Sequence, residues 1–193
     1  MDVNGRHLRL LARGGYCPVW APDSSRIAFL VSATDEWRVS GVSDTSQWRI
    51  GPADDLAWAP DGKRVALASQ VQRNGVTHTE IHLAAIGVPG SRPLAVLQSC
   101  CGGLAWSADG LSVLLATSKA ITLVTTDKAA RRRLTHAPGS YGQPSASLID
   151  GRIVFVRYPH VWVMDANGAH QSRLVGRPDG AFDAEYWSPA WSQ

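Results

Sequence analysis

The sequence has no long apolar run and carries little charge. None of its hydrophobic stretches approaches the roughly 18 residues of a membrane-spanning helix, and Met1 to Leu11 lack the apolar centre of a signal peptide. Charged residues make up 18% of the 193 residues and hydrophobic residues 45%, a balance that excludes an intrinsically disordered chain. We therefore predict a folded domain without a membrane span, and composition leaves the cellular compartment open.

Cysteine and catalytic motifs are also scarce. Cys17, Cys100 and Cys101 are an odd number without metal-ligand spacing, so we expect free thiols and no zinc site. The sequence contains no G-x-S-x-G nucleophile elbow, no phosphate-binding glycine loop and no HExxH pair. We predict no catalytic residue and no cofactor.

Positive charge is in slight excess, but it is not clustered as it is on a surface that binds nucleic acid. The net charge of +3 is spread along the chain, apart from the run Arg131, Arg132 and Arg133. We expect that run to lie on an exposed strand edge. No nucleic-acid partner is predicted.

The sequence does contain a repeat built around tryptophan. The pattern Trp-Ala-Pro-Asp-Gly followed by an apolar run is clearest from Trp58, and related copies surround Trp20, Trp106 and Ala146. A further copy begins at Trp191. The copies recur at intervals of 38 to 48 residues, around the roughly 40 to 45 residues of a four-stranded propeller blade. We expect the repeated tryptophans to pack between neighbouring blades.

Turn residues divide each repeat into four strands, which we name A to D in chain order. Asp-Gly pairs at 61–62, 109–110 and 150–151 predict two-residue hairpins between strands A and B. The apolar runs that follow predict B strands buried on both faces, at residues 27–31, 65–68, 113–116 and 153–156. C strands are expected around 37–39, 81–83, 121–123 and 161–163.

The sequence therefore predicts an all-β fold, a β-propeller of four-stranded antiparallel blades in one domain. Four complete blades are expected at residues 16–50, 54–97, 102–134 and 142–175. Partial strands are expected at both termini, at 1–11 and 185–193, since Asn4-Gly5 matches the C to D turn at Asn167-Gly168. Because an open blade set exposes unpaired edges, we expect further blades from the same or another chain, or self-association.

Three segments carry a resemblance to a known family. Residues 58–66, 133–139 and 163–168 closely resemble the blade motifs of TolB-like β-propellers, which are WD40-like repeats. The family includes the periplasmic protein of the Tol-Pal system, sensor halves of bacterial envelope proteins and gating domains of prolyl-oligopeptidase-like enzymes. The resemblance implies a non-enzymatic scaffold that binds or assembles proteins, in the periplasm or outside the cell.

Two other functions remain open from the sequence. The chain could be the regulatory or gating propeller of a larger peptidase or receptor kinase. It could also be a divalent-metal hydrolase or lyase, for which the acidic candidates are Asp54, Asp55, Asp183 and Glu185. The turn aspartates Asp23, Asp61 and Asp109 are expected instead to accept backbone N–H groups of their own turns.

The candidate binding surface lies where the D to A loops meet. Loops on a rigid scaffold collect binding groups, and aromatic residues mixed with carboxylates are typical anchors for a protein partner. The residues predicted there are Tyr16, Asp54, Asp55, His136, Tyr141, Phe182, Tyr186 and Trp187.

Overall fold

The computed structural model describes residues 10–44, 46–98 and 101–175. Its strands form four antiparallel sheets of four strands each. The first two sheets comprise β1 (Gly15–Trp20), β2 (Arg26–Val31), β3 (Glu36–Gly41), β4 (Gln47–Pro52), β5 (Asp55–Trp58), β6 (Arg64–Arg73), β7 (Val76–Ala85) and β8 (Arg92–Leu97). The other two comprise β9 (Cys101–Trp106), β10 (Ser112–Thr117), β11 (Ile121–Thr125), β12 (Arg131–Arg133), β13 (Tyr141–Ala146), β14 (Ile153–Arg157), β15 (His160–Met164) and β16 (Ser172–Val175).

The predicted all-β fold of four-stranded blades is confirmed. Leu10 and Leu11 lie outside any strand, and the strands predicted over 1–9 and 185–193 fall outside the described residues. No helix in the described part of the chain has the length and apolar character needed to cross a bilayer.

Each sheet is a meander in which strands adjacent in sequence pair antiparallel. The A to B and C to D turns therefore share one end of a blade. The B to C turns and the links to the next A strand share the other end, which we call the mouth. The predicted binding residues Tyr16, Asp54, Asp55 and His136 belong to this end.

The hydrophobic core lies between the blades. Trp37 and Val39 of the first blade pack with Val65 and Leu67 of the second. Equivalent clusters join the second blade to the third and the third to the fourth. Strand β10 is buried along its whole length, as predicted for a B strand with blades on both sides.

Two repeated tryptophans connect neighbouring blades as predicted. The indole N–H of Trp58 donates to the Val19 carbonyl over 3.2 Å, and that of Trp106 donates to the Ala57 carbonyl over 3.0 Å. Trp20 differs, with 54% of its surface exposed, because the described part of the chain supplies no preceding blade to cover it. The interblade role predicted for Trp20 is therefore not seen, and Trp191 lies outside the described residues.

The Asp-Gly turns are longer than predicted. The Ala59 N–H donates to the Arg64 carbonyl, and the Gly62 N–H donates back to Ala59 over 2.9 Å. Pro60 favours this β-turn because its ring presets φ for the second turn position. The result is a four-residue loop in which Gly62, at φ 63°, has the left-handed conformation.

The structural role of the turn aspartates is confirmed. Asp61 accepts the Lys63 N–H over 2.8 Å. Asp23 and Asp109 accept the N–H two residues later in the same way. These carboxylates are therefore occupied within their own turns.

The arginine run occupies the exposed outer strand β12, as expected. The Arg131 guanidinium donates to the Val96 carbonyl of the second blade, and Arg132 donates to the Asn167 carbonyl of the fourth. These side chains therefore connect the outer edges of three consecutive blades.

Candidate functional site

 A cleft opens at the mouth between the first and second blades. The cleft has a volume of about 520 Å³, and its walls come from β1, β2, β6 and the link from β4 to β5. The residues that line it are Tyr16, Leu30, Asp35, Pro52, Ala53, Asp54, Ser69 and Gln70. We call this feature the mouth cleft. The structure thus brings two of the predicted residues, Tyr16 and Asp54, into one cavity.

Tyr16 and Asp35 form one wall of the mouth cleft. Partial burial, the negative charge of Asp35 and a hydrogen bond to that carboxylate raise the pKa of Tyr16 above its ordinary value of 10.0. The Tyr16 side chain is nonetheless 41% exposed. It therefore presents a neutral aromatic surface to the cleft at physiological pH.

Asp54 is held at the base of the opposite wall. Its backbone N–H donates to the Ala68 carbonyl over 2.9 Å, which continues the pairing of the second blade by one residue. Its carboxylate accepts the Gln70 N–H over 2.6 Å. One carboxylate oxygen is thus bound to β6, and the charge of Asp54 remains at the edge of the cleft.

Asp55 lies beside the cleft, in the contact between the second and third blades. Its carboxylate accepts the Leu56 N–H over 2.8 Å and also the Leu104 N–H of β9. Burial raises the pKa of Asp55 more than these hydrogen bonds lower it, and the pKa rises from 3.8 to about 6. Asp55 is therefore a largely enclosed carboxylate rather than an exposed anchor.

The A strand of the second blade is more regular than its equivalents. At the position of Asp55, the other three blades have Cys17, Gly103 and Gln143, all at positive φ. Their A to B pairing shifts register there, whereas Asp55 pairs directly with Ala68. Two of the three irregular strands have proline at the next position, which cannot donate to the ladder.

A long hairpin rises beside the mouth cleft. Strands β6 and β7 have ten residues each, whereas the B and C strands of the other blades have five or six. Asn74 and Gly75, at φ 51° and 75°, form its two-residue turn. Ser69 and Gln70 at its base line the cleft. The B strand was predicted only at 65–68, and it extends to Arg73 because the hairpin continues to the Asn-Gly turn.

The remaining predicted binding residues lie elsewhere. His136 is exposed in the link between the third and fourth blades and is not part of the cleft lining. Tyr141 was predicted at the binding surface, but it is only 5% exposed, and its hydroxyl donates to the Ala137 carbonyl over 2.6 Å. It packs against Phe155 because its position in β13 faces the core between blades. Phe182, Tyr186 and Trp187 lie outside the described residues.

The metal candidates are only partly described. No group of three histidine, cysteine or acidic side chains in the described ranges is placed to hold a metal ion. Asp54 and Asp55 are adjacent, but backbone N–H groups engage both carboxylates. Asp183 and Glu185 lie outside the described residues.

Sequence comparison finds no matching family model and no matching curated protein. Solved structures do match. TolB from Acinetobacter baumannii is 19% identical with a TM-score of 0.67, over 83% of this chain and 43% of that one. A putative TolB from Agrobacterium tumefaciens is 24% identical with a TM-score of 0.67, over 84% and 62%.

An oligogalacturonate lyase in complex with manganese has the same TM-score of 0.67 at 10% identity, over 86% of this chain and 55% of that one. The chain thus spans about half the length of the structures that it matches. Similarity at these identities establishes the architecture and leaves function to the site. The chain has the fold of a TolB-like β-propeller.

Proposed function

We propose that this chain is a non-enzymatic module that binds a protein partner at its mouth. The mouth cleft carries this proposal, because it combines an exposed tyrosine, apolar walls and carboxylates on a hydrogen-bonded scaffold. Tyrosine surrounded by such groups is a frequent anchor at protein interfaces. By analogy with the TolB-like fold, we place this role in the periplasm or outside the cell.

The chemistry of the cleft favours binding over catalysis. Its polar groups are engaged with one another, Tyr16 with Asp35 and Asp54 with the Gln70 N–H. A general base or nucleophile needs a hydrogen-bonding partner that activates it. Neither pair supplies this. The raised pKa of Tyr16 disfavours the tyrosinate that would act as a base, and the Asp54 carboxylate accepts a hydrogen bond from a backbone amide instead of a catalytic partner.

A selection with random dodecapeptides tests the proposed function. Peptides displayed in a library and selected on the whole chain should bind at the cleft. Replacing Tyr16 by Ala should then weaken a selected peptide about tenfold, the loss expected for an aromatic anchor. Fluorescence anisotropy with the synthetic peptide gives both affinities.

Val88→Ala is the matched control. Val88 is also apolar and 62% exposed, but it lies in a C to D turn at the opposite end of the blade. Its replacement should leave affinity unchanged. Failure to select any peptide, or equal losses in the two variants, would contradict the proposed function.

The metal-dependent alternative predicts a different response to cations. Under our proposal, excess calcium, zinc or manganese should leave the melting temperature nearly unchanged, because a ligand stabilises a fold only by binding the native state preferentially. Calorimetry over a metal concentration series measures this. A shift that saturates, and that disappears when Asp54 and Asp55 are both replaced by Asn, would favour the hydrolase or lyase.

A further inference from the structure

The cleft-side edge of strand β6 is left open beyond the end of β5. Strand β5 pairs with β6 from Trp58 opposite Val65 to Asp55 opposite Ala68. Beyond Ala68, β6 continues to Arg73 and pairs only with β7 among the described strands. Its last five residues therefore present an unpaired edge of about 15 Å, at roughly 3.3 Å per residue.

The hairpin register shows which backbone groups face this edge. Arg73 and Val76 flank the two-residue turn, so they form a hydrogen-bonded pair. Gln72 and Thr77 are the next pair, in which the N–H and C=O groups point away from the partner strand. The Gln70 N–H points the same way as that of Gln72, and it reaches Asp54.

We propose that an extended segment of the partner adds to this edge as a further strand. The inference rests on the proposed function and specifies how the partner binds. Strand addition uses main-chain hydrogen bonds for affinity and alternate side chains for specificity. Gln72 would supply one donor and one acceptor, and the incoming strand would run from the hairpin into the mouth cleft.

Charge complementarity defines the side chain that enters the cleft. Asp35 and Asp54 are the charged groups in its lining, and both are acidic, although the chain as a whole has a net charge of +3. A basic side chain would gain from both carboxylates and could stack on the exposed Tyr16 ring. The occupant is therefore an extended segment with an arginine or lysine at its cleft end.

Two proline variants test the strand addition on the selected peptide. Gln72→Pro removes the outward N–H on the cleft side and should weaken binding about tenfold, through the lost hydrogen bond and the bulk of the ring. Thr77→Pro makes the same change on the opposite edge, and each variant loses the side-chain hydrogen bond between Gln72 and Thr77. Thr77→Pro should therefore leave affinity nearly unchanged.

N-methylation of the peptide gives a second readout without altering the protein. Methyl groups on alternate amides should weaken binding in a two-residue period, because every second N–H of an added strand pairs with β6. A uniform effect, or equal losses in the two proline variants, would overturn strand addition. The proposed function would survive if Tyr16→Ala still weakened binding about tenfold.

The basic side chain is tested by neutralising both sides of the contact. Changing the peptide's arginine to citrulline, or its lysine to norleucine, should weaken binding to the wild type but have little further effect on Asp35→Asn/Asp54→Asn. Asparagine preserves an acceptor for the Gln70 N–H and tolerates the φ of 49° at Asp35. Equal losses on both proteins, or selected peptides without a basic residue, would overturn this part of the inference.

Discussion

Replacing Asp55 by Asn is expected to stabilise the protein at neutral pH by about 2 kcal/mol. Burial raises the pKa of Asp55 to about 6 from 3.8, so folding disfavours its ionised form. Asparagine retains an oxygen for the Leu56 N–H group and removes the charge. Because the carboxylate is not wholly enclosed, the expected gain is smaller than the full shift would imply.

The pH dependence has a definite sign. Between pH 3.8 and about 6 the native state holds a proton that the unfolded state has lost, so wild-type stability falls as pH rises through this window. The advantage of Asp55→Asn should therefore be absent near pH 3.5 and complete above pH 7. Urea unfolding across this range measures it.

Asp23→Asn provides a control of opposite sign. The Ser25 backbone N–H and hydroxyl lower the pKa of Asp23, so folding favours its ionised form. Stability is therefore gained as pH rises towards the unfolded value of 3.8 and is fully present above it. The Asn variant should be less stable than the wild type at neutral pH. Stabilisation by both substitutions would indicate a general effect of negative charge instead.

The blade pattern could be predicted because it depends on local chemistry. Tryptophan, proline and the Asp-Gly turn recur with apolar runs, and each of these local features is found in most of the blades. The four strands of each repeat follow from these signals. The one error in the turns was the length of the A to B loop, which has four residues instead of the predicted two, while the flanking strands were predicted correctly.

The site depended on contacts that no local pattern contains. The environment of Asp55 includes the Leu104 N–H from the next blade, and the mouth cleft requires Tyr16, Asp35 and Gln70 to meet from separate strands. Tyr141 shows the same limit, because aromatic side chains are common both at interfaces and in cores. The length of β6 was also missed, although Asn74-Gly75 is a local signal for the turn that ends it.

Replacing Trp106 by Ala is expected to lower the free energy of unfolding by about 3 to 5 kcal/mol. Trp106 is 4% exposed, it packs between the second and third blades, and its indole N–H donates to Ala57. The Arg64 guanidinium lies 4.9 Å from its ring centroid. Truncation therefore leaves a cavity, removes a hydrogen bond and exposes the interblade contact. Urea unfolding will measure the resulting loss in the free energy of unfolding.

The Trp20→Ala variant distinguishes the effect of losing an interblade contact from the effect of losing a tryptophan side chain. Trp20 has the same place in the repeat, but it is 54% exposed, so its truncation should cost less than about 1 kcal/mol. Trp106→Phe should fall between the two, because it keeps most of the packing and loses the bond to Ala57. Since a blade contacts mainly its neighbours, stability resides in these interfaces. Equal losses at Trp20 and Trp106 would show that the tryptophans stabilise individual blades rather than the contacts between them.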